Sequence, residues 1–156
     1  MADSKYGLAN LQVWIKAMAL MELIHKSFLP ELPDDERWGL RNQLSRSSQS
    51  IPANIAEGFG RYYYQENIHF CYIARGSLEE TYSHLIAARK LTYISEELFV
   101  KGESIVNDVR KLLNGYIEYL KKSKVGENEP GSPQTHHMVS EIRSFYVGDI
   151  VSGDKE

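Results

Sequence analysis

The chain has little cysteine, no long apolar run and no recognisable leader segment. Its single cysteine, Cys71, excludes an internal disulfide in a chain of 156 residues. Charged residues interrupt the apolar stretches every few positions, well short of the ~20 apolar residues that a transmembrane helix needs. The first five residues lack the basic start and apolar core of a signal peptide. These absences predict a cytoplasmic protein without a membrane segment.

The motifs of common enzyme classes are also missing. The sequence contains no Gly-x-Ser-x-Gly nucleophile elbow and no Walker loop for phosphate. Gly58 and Gly60 follow a predicted helix rather than a strand, which is the wrong context for a dinucleotide-binding loop. His136 and His137 are adjacent, but two neighbouring histidines alone are a weak indication of a metal site. We therefore expect a non-enzymatic protein that uses no cofactor.

Two Glu-x-x-His pairs, Glu22 with His25 and Glu66 with His69, resemble the ligand pairs of di-iron helical bundles. Such a site also needs a glutamate from each of two further helices, and the candidates are Glu57 and Glu103. In an antiparallel bundle the end of the first helix and the start of the third lie at opposite ends. The two pairs are then at least ~20 Å apart, which predicts that no dinuclear metal site forms.

Apolar residues recur at alternating spacings of three and four in four segments, which is typical of amphipathic helices. The predicted helices cover about 10–28 with Asn10 as N-cap, about 35–58, about 65 to beyond 88, and about 98–124. Seven-residue periodicity indicates nearly antiparallel packing. We expect an all-α protein, an antiparallel up-down-up-down four-helix bundle formed by residues 1–124.

Residues 125–156 differ in composition from the rest of the chain. They begin with a linker rich in glycine, proline and glutamate (126–133), and an apolar cluster follows: Ile142, Phe145, Tyr146, Val147, Ile150 and Val151. We expect an acidic tail that is either disordered or loosely docked on the bundle. The tail holds two basic and six acidic residues, which leaves 16 basic and 15 acidic residues in 1–124. The bundle is therefore close to neutral.

The segment 50–61 indicates how the second helix ends. Pro52 is expected to bend this helix, and Gly58 and Gly60 to end it. Asn54, Glu57 and Arg61 are spaced so that they share one surface. We expect Asn54 and Glu57 to be at least partly buried and hydrogen-bonded, tying the helix end to the turn that follows.

Several basic residues are candidates for phosphate contacts, because not every neighbouring turn carries an acidic group: Arg37, Arg41, Arg46, Arg61, Lys121, Lys122 and Lys124. Arg61 also precedes three tyrosines (62–64), a combination that can bind phosphate and stack on bases. The alternative is that these residues lie on solvated helix faces and pair with nearby acidic groups. Both interpretations remain open at this point.

The segments Val13-Trp14, Leu40 to Arg46, Ser50 to Arg61 and Ile73 to Glu80 together resemble the four helix bundle protein family. That family includes proteins encoded by intervening sequences of bacterial large-subunit ribosomal RNA genes and the accessory protein of diversity-generating retroelements. The resemblance implies a homopentameric ring of four-helix bundles. It also implies an accessory role in binding nucleic acid, RNA or DNA, or a reverse transcriptase.

Apolar surface supports self-association independently of that resemblance. The first helix carries two adjacent apolar stripes, and aromatic residues recur in and just before the fourth helix, more than one small bundle needs to bury. We therefore expect a homo-oligomer. The competing hypothesis is a structural or protein-interaction scaffold that does not bind nucleic acid.

Overall fold

The computed structural model describes residues 5–61, 63–124 and 145–147. Within them, four long helices form the molecule: α1 (Gln12–Leu23), α2 (Leu40–Gly60), α3 (Tyr64–Lys90) and α4 (Glu96–Ser123). A π-helical segment, Ile24–Phe28, continues α1. Short 3-10 turns lie before α1 (Leu8–Asn10) and between the π-helical segment and α2 (Leu29–Glu31 and Asp34–Arg37). The predicted all-α class is confirmed.

Contacts between neighbouring helices show that the helices are antiparallel. The hydroxyl oxygens of Ser50 in α2 and Ser77 in α3 are 2.8 Å apart, and those of Thr81, one turn later in α3, and Ser47, earlier in α2, are 2.9 Å apart. The other pairs of neighbouring helices also have contacts consistent with antiparallel packing: Glu79 with Arg110, Tyr82 with Glu103, and Lys16 with Asp108. The up-down-up-down four-helix bundle is therefore confirmed.

The candidate residues divide between the two ends of the bundle. The upper end carries the connections from α1 to α2 and from α3 to α4 (29–39 and 91–95). The lower end carries the start of α1, the connection from α2 to α3 (61–63) and the end of α4. At ~1.5 Å per residue, Arg41 near the start of α2 and Arg61, just after its end, are separated by roughly 30 Å along the bundle axis.

Three predicted helix boundaries are corrected. Leu11, in extended conformation, occupies the N-cap of α1 instead of Asn10. The second helix begins at Leu40 rather than near 35, because residues 34–37 form a separate 3-10 turn. The fourth helix begins at Glu96, since the hydroxyl of Ser95 accepts a hydrogen bond from the Leu98 backbone N–H and caps it.

The second helix continues through Pro52 and ends at Gly60, two residues beyond its predicted end. Its interface with α3 contains small polar side chains: Ser47, Ser77 and Thr81 are buried, and hydroxyl contacts join the two helices there. Thr81 donates to the Ser77 carbonyl at 2.8 Å, so its hydroxyl remains hydrogen-bonded in the core. Short side chains at this interface allow the two helices to approach closely.

Phe145–Val147 dock on the lower end. The Gln12 backbone N–H donates to the Phe145 carbonyl at 2.8 Å, and the Val147 N–H donates to the Asn10 carbonyl at 3.0 Å. Tyr146 is buried beside Leu11, with which it forms an isolated antiparallel bridge. For these three residues the docked alternative is correct; residues 125–144 and 148–156 lie outside the described part of the chain.

A membrane-crossing helix is not found within the described ranges, because none of the helices there combines sufficient length with sufficient apolarity.

Candidate nucleic-acid interface

The predicted cluster of Asn54, Glu57 and Arg61 forms only in part. Asn54 is partly buried, and its amide donates to the Ser50 carbonyl at 2.8 Å and to the Ser50 hydroxyl at 2.9 Å. Glu57, which was expected to be at least partly buried, has half of its side chain exposed. Spacing alone placed it on the surface shared with Arg61, but that surface faces solvent. Glu57 accepts two hydrogen bonds from Arg61, at 2.6 and 3.1 Å.

Arg61 lies at the edge of a cleft at the lower end. The cleft encloses about 530 Å³ and is lined by Arg61, Tyr63, Gln65, Glu66, His69 and Phe70. The Arg61 guanidinium lies 5.3 Å from the centre of the Phe70 ring. Hydrogen bonding to Glu57 raises the pKa of Arg61, and the Glu66 carboxylate acts in the same direction. Two carboxylates thus surround this one guanidinium, which disfavours phosphate at the cleft.

The lysines at the end of α4 share the lower end with Arg61. Lys121 is paired with Glu118 at 3.4 Å, and its ammonium lies 5.8 Å from the centre of the Tyr72 ring. Lys122 and Lys124 are exposed at the helix end, where their charge also suits the helix dipole. Part of the positive charge predicted for phosphate contacts is therefore used within the bundle.

Arg41 has a structural role at the upper end. Its guanidinium donates to the Leu32 carbonyl at 2.6 Å and lies 3.7 Å from the Asp34 carboxylate. Its Nε atom is buried without a hydrogen-bond partner. These contacts connect the start of α2 to the segment after α1, and they leave little of the guanidinium for a ligand.

Arg37 and Arg46 remain exposed at the upper end and on the adjoining part of α2. The Arg37 guanidinium lies 5.4 Å from the centre of the Trp38 ring. In the described part of the chain, no carboxylate lies within ion-pair distance of either arginine. The structure therefore divides the seven predicted residues between two ends and leaves the most available guanidinium groups at the upper end.

Sequence reasoning missed Trp38, which lies beside Arg37 and is 81% exposed. Trp38 follows the Asp34–Arg37 turn and precedes the first residue of α2, so it is outside every apolar stripe. Its position could have indicated an exposed tryptophan, because it lies between an arginine and a glycine and does not fit the apolar period of a helix.

Three of the side chains considered as metal ligands have other partners. Glu22 pairs with Lys26, His25 lies 3.3 Å from the Gln49 amide, and Glu103 accepts a hydrogen bond from Tyr82. No group of three or more metal-ligating side chains comes together in the described ranges.

An apolar groove runs between α1 and α2. It encloses about 530 Å³, and its walls are formed by Leu8, Trp14, Met18, Met21, His25, Gln49, Pro52, Ala53 and Ala56. Of the two predicted stripes of the first helix, the one with Val13, Ala17, Leu20 and Ile24 is buried in the core. Trp14, Met18, Met21 and His25 of the other stripe line this groove and are half-buried.

A sequence profile for 23S rRNA-intervening sequence proteins matches residues 9–115. The chain belongs to this family. The match covers most of the bundle, and it confirms the family resemblance inferred from the motifs of the first three helices.

The fold is similar to that of a solved protein of unknown function from the S23 ribosomal protein family of Bacteroides thetaiotaomicron. The two chains are 23% identical, with a TM-score of 0.62, over 68% of this chain and 98% of the other. At this identity the similarity supports the fold alone. A search of curated proteins gave no match.

Proposed function

We propose that this protein is a cytoplasmic, homo-oligomeric accessory factor that binds nucleic acid through its upper end and performs no catalysis. The observation that carries the proposal is the exposure of Arg37 and Arg46 without an acidic partner in the described ranges. Guanidinium groups in this state can form bidentate hydrogen bonds with phosphate without first breaking an ion pair.

Assembly compensates for the weak charge of one subunit. Residues 1–124 are close to neutral, with 16 basic and 15 acidic groups, so a single bundle attracts a polyanion only weakly. A ring repeats the same arginines in every subunit and lets one strand contact several of them. Avidity of this kind can raise affinity by roughly 10²–10⁴ without any new contact.

The groove between α1 and α2 supports the homo-oligomer. Trp14, Met18 and Met21 are only half-buried within one subunit. Contact with a second subunit would remove this apolar surface from water. Five subunits are proposed from the family resemblance, and a reverse transcriptase is the protein partner that the same resemblance suggests.

The test compares two double variants that each remove two positive charges. Arg37→Ala/Arg46→Ala changes the upper end, whereas Lys111→Ala/Lys122→Ala removes exposed charges from α4. Fluorescence anisotropy with labelled RNA and DNA at low salt measures the affinity. We expect the arginine variant to bind at least ~10-fold more weakly than the lysine variant, because two phosphate contacts are lost. Equal losses would contradict a binding surface at the upper end, because Lys122 lies at the lower end.

The groove also favours a second candidate, a scaffold that assembles and holds proteins without contacting nucleic acid. A ring that forms in solution but retains no RNA or DNA at low salt would support the scaffold and reject nucleic-acid binding.

A further inference from the structure

Trp38 is presented to solvent at the upper end. It is 81% exposed, whereas Trp14, the other tryptophan, is half-buried against the core. Exposing a whole indole costs hydrophobic free energy that a smaller polar residue would not cost. A side chain of this size so far outside the core is typical of a binding surface.

The turn that carries Trp38 is fixed from two sides. One carboxylate oxygen of Glu36 accepts a hydrogen bond from the Leu40 backbone N–H at 2.9 Å, which caps α2. The other accepts from the Tyr93 hydroxyl at 3.1 Å, which ties the turn to the connection between α3 and α4. The Gly39 N–H also donates to the Glu36 carbonyl at 3.0 Å. Trp38 therefore projects from an ordered turn.

We propose that Trp38 is a stacking residue for an unpaired base, so that the nucleic acid bound at the upper end is single-stranded. This inference rests on the proposed function. Arg37, whose guanidinium is 5.4 Å from the centre of the indole ring, is placed to contact the phosphate next to that base. Every base can stack on an indole, so this contact does not depend on the base sequence of the nucleic acid.

Carboxylates in the same turn limit how much simple attraction can contribute at this point. Asp34 and Asp35 lie in the same turn as Arg37, and Asp34 is already close to Arg41. Their carboxylates offset much of the local positive charge. Affinity at this point of the surface therefore depends on the ring, which an acidic neighbour does not neutralise.

Preference for a single strand follows from geometry. In a duplex both faces of each internal base are covered by its neighbours, so a protruding indole finds no free face. A single strand can turn one base out onto Trp38 at little cost. Duplexes of the same length are expected to contact only the arginines.

The experiment compares the fluorescence of the full chain with that of Trp38→Phe, so that the difference reports Trp38 while Trp14 stays in the groove. Titration with a single-stranded oligonucleotide should quench the Trp38 fluorescence, and an equal duplex should quench it less. In the native background, Trp38→Leu keeps an apolar side chain without a ring and should weaken single-strand binding by about 5- to 100-fold, whereas Trp38→Phe keeps most of the affinity. Duplex binding should change by less than about twofold with either variant.

The outcomes separate this inference from the proposed function. If the protein binds nucleic acid but Trp38→Leu weakens single strands and duplexes equally or not at all, stacking is wrong and nucleic-acid binding stands. If the protein binds no nucleic acid, both fail. If Trp38 fluorescence responds to protein concentration and not to oligonucleotide, the residue belongs to a subunit interface and the inference is overturned.

Discussion

The backbone N–H of Gln12 donates a hydrogen bond to the carbonyl of Phe145, 133 positions later in the chain, at a distance of 2.8 Å. This bond satisfies one of the N–H groups that a helix leaves free in its first turn. Beside it, the Phe145 ring lies 4.9 Å from the Tyr119 ring, between centres. A short segment after the acidic linker thus closes the lower end of the bundle.

Replacing Tyr146 by alanine should reduce the free energy of unfolding by about 1–3 kcal/mol, because a buried ring and its edge contact with the Tyr6 ring are lost. Denaturant unfolding followed by circular dichroism measures the effect. Val147→Ala is the matched control, since Val147 is exposed and should change stability by less than about 0.5 kcal/mol. Equal effects of the two substitutions would mean that the segment does not dock.

The stabilisation from Tyr146 should also depend on pH. Burial raises the pKa of its hydroxyl to about 12. In the unfolded chain the hydroxyl loses its proton near pH ~10. The unfolded state therefore binds fewer protons between these values, so the contribution is complete below pH ~10 and is lost as pH rises towards 12. A Tyr146→Phe variant should lose less stability over this interval than the native chain; an unchanged profile would contradict the burial.

Two helical glycines should respond oppositely to alanine. A Cβ at Gly58 would lie 2.7 Å from the Asn67 side-chain oxygen and 3.0 Å from its carbonyl oxygen, whereas a Cβ at Gly76 would meet nothing within 4 Å. We expect Gly58→Ala to destabilise the protein by about 1–3 kcal/mol and Gly76→Ala to stabilise it by about 0.5–1 kcal/mol. Thermal unfolding of both variants provides the comparison. Stabilisation by both would show that α2 and α3 are further apart at Gly58.

Cys71 should be inert to thiol reagents in the folded protein. It is fully buried, and burial raises the pKa of its thiol to about 12, so almost no thiolate exists near pH 8. Labelling with a chromogenic disulfide should be slow without denaturant and rapid in it. Fast labelling under native conditions would place Cys71 at an accessible surface.

The acidic tail should oppose nucleic-acid binding. Deleting residues 125–156 would remove a charge of −4, but it would also remove the docked Phe145–Val147 segment. A cleaner variant changes Glu127, Glu129 and Glu141, which lie outside the described residues, to glutamine. We expect tighter binding of RNA or DNA at low salt with unchanged stability. Unaltered affinity would show that the tail charge does not reach the binding surface.

The helical class and the antiparallel order followed from apolar periodicity, because the core-facing stripes repeat every three or four residues. Helix ends were less predictable. The N-cap position of α1 falls on Leu11 because its first turn is bonded to a segment more than 130 residues away, and no local pattern contains that information. The spacing of Asn54, Glu57 and Arg61 defines a shared surface but not the direction in which it faces. Glu57 was expected to be at least partly buried, and half of its side chain is exposed.

The candidate interface was predicted less well than the fold. Basic residues were recognised by the absence of acidic neighbours in sequence, which does not exclude partners in space. Arg41 bonds to a carbonyl nine positions earlier, and Lys121 lies against a tyrosine of α3. Trp38 was not predicted as a surface residue of interest, because apolar periodicity identifies only side chains that face the core.

The salt dependence with which the full chain binds RNA and DNA tests whether nucleic acid contacts the upper end. Anisotropy titrations between about 50 and 200 mM salt give the slope of the logarithm of affinity against the logarithm of salt concentration. Binding through the upper end predicts measurable affinity at low salt, a slope that corresponds to the release of several counterions, and a smaller slope for the Arg37→Ala/Arg46→Ala variant. Absence of binding at the lowest salt, or a slope that this variant leaves unchanged, would contradict it.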